Sequence, residues 1–195
     1  TIDRAGVSLV PATTLAGRHL DAIQERARGL RRGMATGISG YDSKTLGLHV
    51  GELLVLAARP GVGKTAIGLQ WAMHAAAAGV PVAMFSLEMS DVSLLDRIAS
   101  RTGTIDHGRL RSGQLSTHEM QALIDVHTAL RQRSLSLCDA SPMRIGEIRS
   151  LARRWRRQHP GPQALVVVDY LQLVHPDAKG YSREQDVASI SRAAK

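Results

Sequence analysis

The chain has 195 residues, 44% of them apolar, with 25 Lys and Arg against 17 Asp and Glu. That size suits one main domain with an ordinary packed core, and the basic excess suits a polyanionic partner as well as plain solubility. The longest apolar run, around residues 75–83, is far short of the ~20 residues of a membrane span, nothing resembles a signal peptide, and a lone cysteine excludes a disulfide framework. The expectation is a cytoplasmic protein with no membrane partner. The basic set is 21 Arg to 4 Lys in an Ala- and Gly-rich background. The chain starts at Thr1 rather than Met and stops at Lys195 inside the helical pattern "DVASISRAAK", which reads as a fragment or a processed product.

Residues 14–30, "TLAGRHLDAIQERARGL", put Ala16, Leu20, Ile23, Ala27 and Leu30 at alternating offsets of four and three, one apolar stripe on a helix that Thr13 or Thr14 is placed to cap. A Gly- and Arg-rich stretch follows, so this helix is expected to join the main body flexibly and to need a partner surface, on this chain or another. "ELLVLAA" (52–58) then reads as a buried strand, and the apolar segment 64–78 as a helix packed on most sides. "VPVAMFSLE" (80–88) is a second strand. Ser90 caps a helix carrying Val92, Leu94, Leu95 and Ile98, and Ser116 with Glu119 forms a capping box ahead of Met120, Leu123, Ile124 and Leu130.

"SLSLCD" (134–139) is a weaker third strand, where Cys138 reads as a buried structural thiol. Ile145, Ile148, Ala152 and Trp155 give a helix stripe ended by His159-Pro160-Gly161, and "ALVVVDYLQLV" (164–174) is a fourth strand. The arginines 149, 153, 154, 156 and 157 on that helix read as a solvated face, and Trp155 as core. Apolar strands separated by helices imply an α/β fold with a mostly parallel sheet covered on both faces.

The stretch "AARPGVGKTA" (57–66) carries two overlapping signatures. Gly61-x-Gly63-x-x-Ala66 fits a loop for a dinucleotide pyrophosphate, with Glu88 near the place of a ribose-binding acid. Gly63-Lys64-Thr65 fits a loop for a nucleoside triphosphate, with Lys64 meeting β- and γ-phosphate oxygens, Thr65 ligating Mg²⁺, and the amides of Gly61, Val62, Gly63, Lys64 and Thr65 cradling phosphate. Arg59 and Pro60 lengthen the turn beyond what a dinucleotide loop uses, and "LVVVD" ends in Asp169, the buried strand plus terminal carboxylate of a Mg²⁺-holding element. The triphosphate reading wins. Ala58 departs from the motif G-x-x-x-x-G-K-S/T, and its methyl requires a negative φ there. Glu88 is then a candidate to polarise the attacking water, and Arg97, nine residues on, is a candidate phosphate contact whose plainer use is a surface ion pair.

These residues resemble a known family. "TGISGYDSKTLGLHVGELLVLAARPGVGKTAIGL", "VAMFSLEMS" followed by Arg97, "LRSGQL", "EIRSLARR" and "VVVDYLQLV" with a downstream "ISR" are similar, in order, to the carboxy-terminal motor domain of DnaB-type replicative helicases, which has a RecA-like P-loop core. The similarity covers residues 36–195, and residues 1–35 resemble the family's linker, whose helix docks on the neighbouring subunit.

The resemblance implies a homohexameric ring that hydrolyses ATP with Mg²⁺, moves along single-stranded DNA and unwinds duplex in the nucleoid-associated replication machinery, with primase and a helicase loader as partners. By position it implies Glu88 as catalytic carboxylate, Lys64 as phosphate-binding and catalytic, and Thr65 and Asp169 as metal ligands. Arg59, Pro60, Gly61, Val62, Gly63, Ala66 and Arg97 complete the nucleotide set. "HPDAKGYSREQ" (175–185) falls where the family places a channel loop, so Lys179 and Arg183 are candidate DNA contacts. The γ-phosphate-sensing Gln, arginine finger and second channel loop are expected beyond Lys195 and the primase-contacting collar before Thr1, so these 195 residues alone are expected to bind ATP with very weak hydrolysis. A RecA-like ATPase or DnaB paralogue without helicase activity, and a non-catalytic nucleotide-dependent assembly module, are the alternatives.

Overall fold

A computed structural model describes residues 9–28 and 33–176. In chain order its elements are α1 (Ala12–Ala27), α2 (Ser39–Thr45), α3 (Lys64–Ala77), β1 (Val82–Ser86), α4 (Asp91–Gly103), α5 (His107–Ser112), α6 (Thr117–Arg131), β2 (Leu135–Cys138), β3 (Met143–Arg144), α7 (Ile145–Gln158), β4 (Leu165–Asp169) and β5 (Val174–His175). A short 3-10 turn, Leu171–Leu173, joins β4 to β5.

The core is built on β1, which is buried at every position. It pairs in parallel with β2 on one edge and β4 on the other, giving the order β2-β1-β4. Its side chains alternate between two apolar layers, as the pleat demands. Val82 and Met84 pack against Leu69, Ala72, Ala75 and Ala76 of α3, Leu94 and Ile98 of α4, and Val126 of α6. Ala83 and Phe85 pack on the opposite face against Ile145 and Ile148 of α7, with Met143 of β3 and Val174 of β5. This is the α/β arrangement expected, a parallel sheet with helices on both faces.

Local sequence rules account for the helix starts. Ser90 accepts the N–H of Ser93 at the head of α4, and Asp106 does the same for Arg109 at α5. At α6 the capping box is complete: Ser116 Oγ accepts the Glu119 N–H, and the Glu119 carboxylate accepts the Ser116 N–H at 2.8 Å. The Ser116 hydroxyl, foremost, lowers the carboxyl pKa of Glu119, with Arg109 assisting at 2.9 Å.

Several expectations are corrected. Residues 52–58 form no strand, and Leu53, Leu54, Val55 and Leu56 are exposed. An apolar run becomes a strand only where a neighbouring backbone takes its N–H and C=O groups, and among the described residues the sheet ends at β4, whose Val166 is 44% exposed. The stretch 164–174 is β4, a 3-10 turn and β5 rather than one strand, because β5 leaves the main sheet to pair with β3. Helix α3 is buried along one face, while His74 and Ala77 are exposed. Cys138 is half-buried rather than buried, at the end of an edge strand. Trp155 is likewise half-buried, packed against the second apolar layer with its indole N–H bonded to Ser136 Oγ at 2.9 Å.

Helix α1 forms where the apolar stripe predicts it, but it starts at Ala12, so Thr13 and Thr14 lie inside it. The N–H groups of Thr14 and Leu15 reach the Pro11 carbonyl instead. Leu15, Leu20 and Ile23 are exposed. Leu30, the last residue of the stripe, lies outside the described residues.

The segment 33–48 is held in shape by a polar knot within it. Thr36 is fully buried, and Asp42 of α2 accepts its N–H at 3.0 Å, its hydroxyl at 2.8 Å and the Gly37 N–H at 3.1 Å. Gly47, at φ +91°, lies so close to Met34 that a Cβ would sit 2.5 Å from the Met34 carbonyl oxygen.

Two outcomes are expected. Leu94 is fully buried in the first apolar layer, so Leu94→Ala lowers the free energy of unfolding by about 3 kcal/mol in urea titrations. The Thr36 N–H, above all, holds the Asp42 carboxyl below its usual pKa, with the Thr36 hydroxyl and Gly37 N–H adding to it. A depressed folded-state value gives stability that is present above the unfolded value of ~3.9 and lost as pH falls through the folded one. The thermal midpoint of Asp42→Asn therefore lies below that of the unaltered protein at neutral pH, and the gap narrows below about pH 4.

Candidate nucleotide site

Helix α3 ends beside the start of β1, where the Val80 N–H bonds the Ala75 carbonyl, so the first turn of α3 lies at the carboxyl end of the sheet. Gly61 and Gly63 enter it with φ of +78° and +107°, values that L side chains rarely adopt. Gly63 caps the helix without any side-chain acceptor. The first-turn amides therefore keep their donors for an outside anion, at the positive end of the helix dipole. Ala58 has no positive φ, so its methyl is tolerated as the sequence requires.

Lys64 Nζ donates to the carbonyls of Ala58 at 3.0 Å and Arg59 at 3.3 Å, folding the loop back over its own lysine. Those neutral acceptors are weaker partners than phosphate oxygens. Arg59, Pro60, Val62 and Ala66 are exposed around the loop, and Thr65 is half-buried beside Lys64.

Two acids arrive from the sheet. Ser86 ends β1 in register with Asp169 at the end of β4, and the Leu87 N–H donates to the Asp169 carbonyl at 2.7 Å. Glu88, next in the chain, is exposed beyond that edge. Asp169 is 7% exposed, and its Oδ2 has no hydrogen-bond partner. A buried carboxylate oxygen without a donor is costly, and a cation is one way to satisfy it. Carboxylate and hydroxyl oxygens, such as those of Asp169 and Thr65, are the hard donors that Mg²⁺ takes alongside nucleotide phosphate.

The predicted residues separate into two groups. The glycine loop, Lys64, Thr65, Asp169 and Glu88 belong to the carboxyl end of the sheet. Arg97 of α4 lines a cavity of about 560 Å³ on the flank of α3, together with Ala66, Gln70 and His74, and neither Lys64 nor Asp169 lines it. Arg97 is in no ion pair among the described residues. Lys179 and Arg183 lie outside the described residues.

Sequence reasoning missed Ser86. It is fully buried, and its hydroxyl donates to the Met89 carbonyl at 2.8 Å while accepting the Met89 N–H at 3.3 Å. That closed turn holds Glu88 between its ends. The signal was present: one hydroxyl at the end of an otherwise apolar strand.

Comparison with known proteins follows the same lines. Residues 33–195 match the family described as the DnaB-like helicase C terminal domain. The replicative DNA helicase DnaB of Synechocystis sp. is 33% identical over 197 residues, spanning 100% of this chain and 22% of the relative. That of Leifsonia xyli subsp. xyli is 32% identical over 97% of this chain and 41% of its own length. The chain thus covers well under half of either curated relative. Among solved structures, the ATPase domain of G40P superposes with a TM-score of 0.84 at 25% identity, over 91% of this chain and 64% of that one. A DnaB-like replicative helicase, solved in a study of its interactions with primase, gives a TM-score of 0.82 at 24% identity, over 99% of this chain and 45% of that one. The fold is accordingly the RecA-like ATPase fold. With residues 33–195 matched by the family's model, the chain belongs to the DnaB-like helicase C-terminal domain family.

Proposed function

We propose that this chain is the ATP-hydrolysing motor part of a replicative DNA helicase. The observation that carries the reading is the buried, donorless Asp169 Oδ2 at the sheet edge where Glu88 and the Lys64 loop also lie. In this reading residues 36–195 form the motor and residues 1–35 the linker. The uncovered apolar residues of α1 support that division, since they require a surface that the described chain does not give them.

The chain's residues then act in defined ways. Lys64 Nζ leaves the carbonyls of Ala58 and Arg59 for β- and γ-phosphate oxygens of ATP, while the first-turn amides of α3 hold the same phosphates. Thr65 and Asp169 hold Mg²⁺, which when bound draws off charge from the phosphates as the terminal bond breaks. Glu88 takes the proton of the attacking water, and the Ser86 turn holds it in place. Arg97 is a phosphate contact at the rim. In the whole protein, homohexameric ring assembly, single-stranded DNA held by the loop bearing Lys179 and Arg183, contacts with primase and a loader, and work in the cytoplasmic, nucleoid-associated replication machinery complete the reading. No helix among the described residues is long and apolar enough to cross a membrane.

Two measurements test it. Glu88→Gln in the full-length protein lowers kcat for ATP by about 10²- to 10⁴-fold and leaves nucleotide affinity nearly unchanged; turnover equal to that of the unaltered enzyme refutes the catalytic assignment. Asp169→Asn removes a buried unpaired charge worth about 1–3 kcal/mol. Its thermal midpoint without metal therefore rises, by about 2–4 °C for each kcal/mol removed, while the further stabilisation given by Mg²⁺ with nucleotide disappears.

A further inference from the structure

The cavity of about 560 Å³ on the flank of α3 runs from the nucleotide end of the sheet toward the opposite, amino end. Helix α4 starts at the carboxyl end, where the Asp91 N–H donates to Asp139 Oδ2 just past β2, and it runs back from there. Arg101, in its last turn, and Arg133, in the turn before β2, both line the cavity. The Val82 N–H, bonded to the Ser134 carbonyl at 2.8 Å, holds that turn beside the start of β1. His74 adds a ring from α3, ~15 Å along the helix from Lys64. The Arg101 end is thus separate from the glycine loop, and Arg97, one turn of α4 nearer the loop, stays with the nucleotide.

Nothing local uses these charges. Arg101 is exposed and Arg133 half-buried, and neither guanidinium has a hydrogen bond or an ion pair among the described residues. Arg133 bonds through its main chain, its N–H donating to the Leu130 carbonyl at 3.0 Å. Arg97 and Arg101 stand four apart on α4, a spacing at which like charges repel. No carboxylate among the described residues lines the cavity. The carboxyl ends of α4 and α6 each favour a cation, but that does not require two arginines to converge on one cavity. The surface they meet is apolar: Leu69 and Ile98 are buried, and Met73 and Ala77 continue it.

We propose that this end of the cavity is a second ligand site, which takes a small phosphorylated molecule with an apolar body. It goes beyond the proposed ATP chemistry, in which neither Arg101 nor Arg133 takes part. Concave sites of roughly 300–1,000 Å³ with apolar walls and a few charged groups are the kind that small ligands fill. The planar guanidinium forks suit paired phosphate oxygens, and Leu69, Met73 and Ala77 suit the apolar body. The walls come from the 33–48 segment, α3, α4 and the turn before β2. That is a concavity with several walls, not the two-sided groove in which a partner helix lies.

The test is a fluorescence titration of the full-length protein with 2-naphthyl phosphate, its catalytic site filled beforehand by a non-hydrolysable ATP analogue and Mg²⁺. Saturable binding is expected in the presence of the analogue. Arg101→Gln and Arg133→Gln each weaken it by about tenfold or more, the loss that goes with a hydrogen-bonded charge. Uncharged 2-naphthol is expected to bind the unaltered protein no better than the ester binds these variants. Should Arg133→Gln not fold, Arg101→Gln alone decides, since that side chain is exposed. Equal affinity in the Arg101→Gln variant overturns the assignment, as do displacement of the ester by the analogue, equal binding of 2-naphthol, or no saturable binding at all. Poly-glutamate binding that needs both arginines where the ester does not also overturns it, and gives the cavity to an acidic protein segment. ATP turnover without the ester is expected to be equal in both variants. If the analogue itself fails to bind, the motor reading falls and the ester titration still stands.

Discussion

The register of β1 on β4 is the constraint from which the site follows. Five consecutive pairs, from Val82 opposite Leu165 to Ser86 opposite Asp169, bring the ends of the two strands level. The Leu87 N–H bonded to the Asp169 carbonyl extends that pairing one step past the strand. Because side chains alternate along a strand, a slip of one residue would turn Asp169 to the opposite face and move Glu88 along the edge. The slip is prevented by packing rather than by polar contacts. Val82 and Met84 fill one apolar layer and Ala83 and Phe85 the other, so a shift would exchange the two layers' contents, and their volumes differ.

The glycine loop is positioned by the same packing, one step removed. Helix α3 packs on the sheet through Leu69 and three alanines, Ala72, Ala75 and Ala76, and a Cβ on Gly68 would stand in ordinary contact with Val167 at 3.6 Å. Larger side chains there would lift the helix, and the loop would rise with its first turn. Sequence, packing and site are therefore linked by alanines and one glycine that carry no chemistry. The Thr36–Asp42 knot shapes the 33–48 segment from within, and Gly37 comes so close to α3 that a Cβ there would meet the His74 ring at 2.7 Å.

Much of this was legible in the sequence. The strand of Val82–Ser86, the caps at Ser90 and Ser116, the helix stripe ending in Trp155 and the glycine loop all rest on local signals, and local signals are what a sequence states directly. The errors share a cause. "ELLVLAA" has the composition of a buried strand, but strand formation depends on a neighbour that composition does not name, and among the described residues it has none. Cys138 fails in the same way, since its burial depends on whether another strand lies beyond β2. Ser86 and Thr36 were missed for the opposite reason. Each is a buried hydroxyl whose role is set by a partner three to six residues away through a turn, which no periodicity reports.

The glycine loop and the end of β4 carry reciprocal demands. The ammonium of Lys64 rests on neutral carbonyls, the first-turn amides of α3 lack acceptors from a capping side chain, and Asp169 Oδ2 is buried without a donor. Each of these lowers the stability of the fold, since Ser or Asp at the cap position, or an apolar residue in place of Asp169, would satisfy or remove the demand locally. They are also complementary in sign: donors and a cation on the loop, an anion on the strand. A polyphosphate with a divalent ion answers all of them together, and no internal rearrangement of these side chains does so without neutralising Lys64 on Asp169. Such a salt bridge would fill the place of both ligands, and Lys64 instead donates to Ala58 and Arg59. Lys64 donates to main-chain carbonyls and Asp169 Oδ2 accepts from no donor, so neither charge is spent on the other.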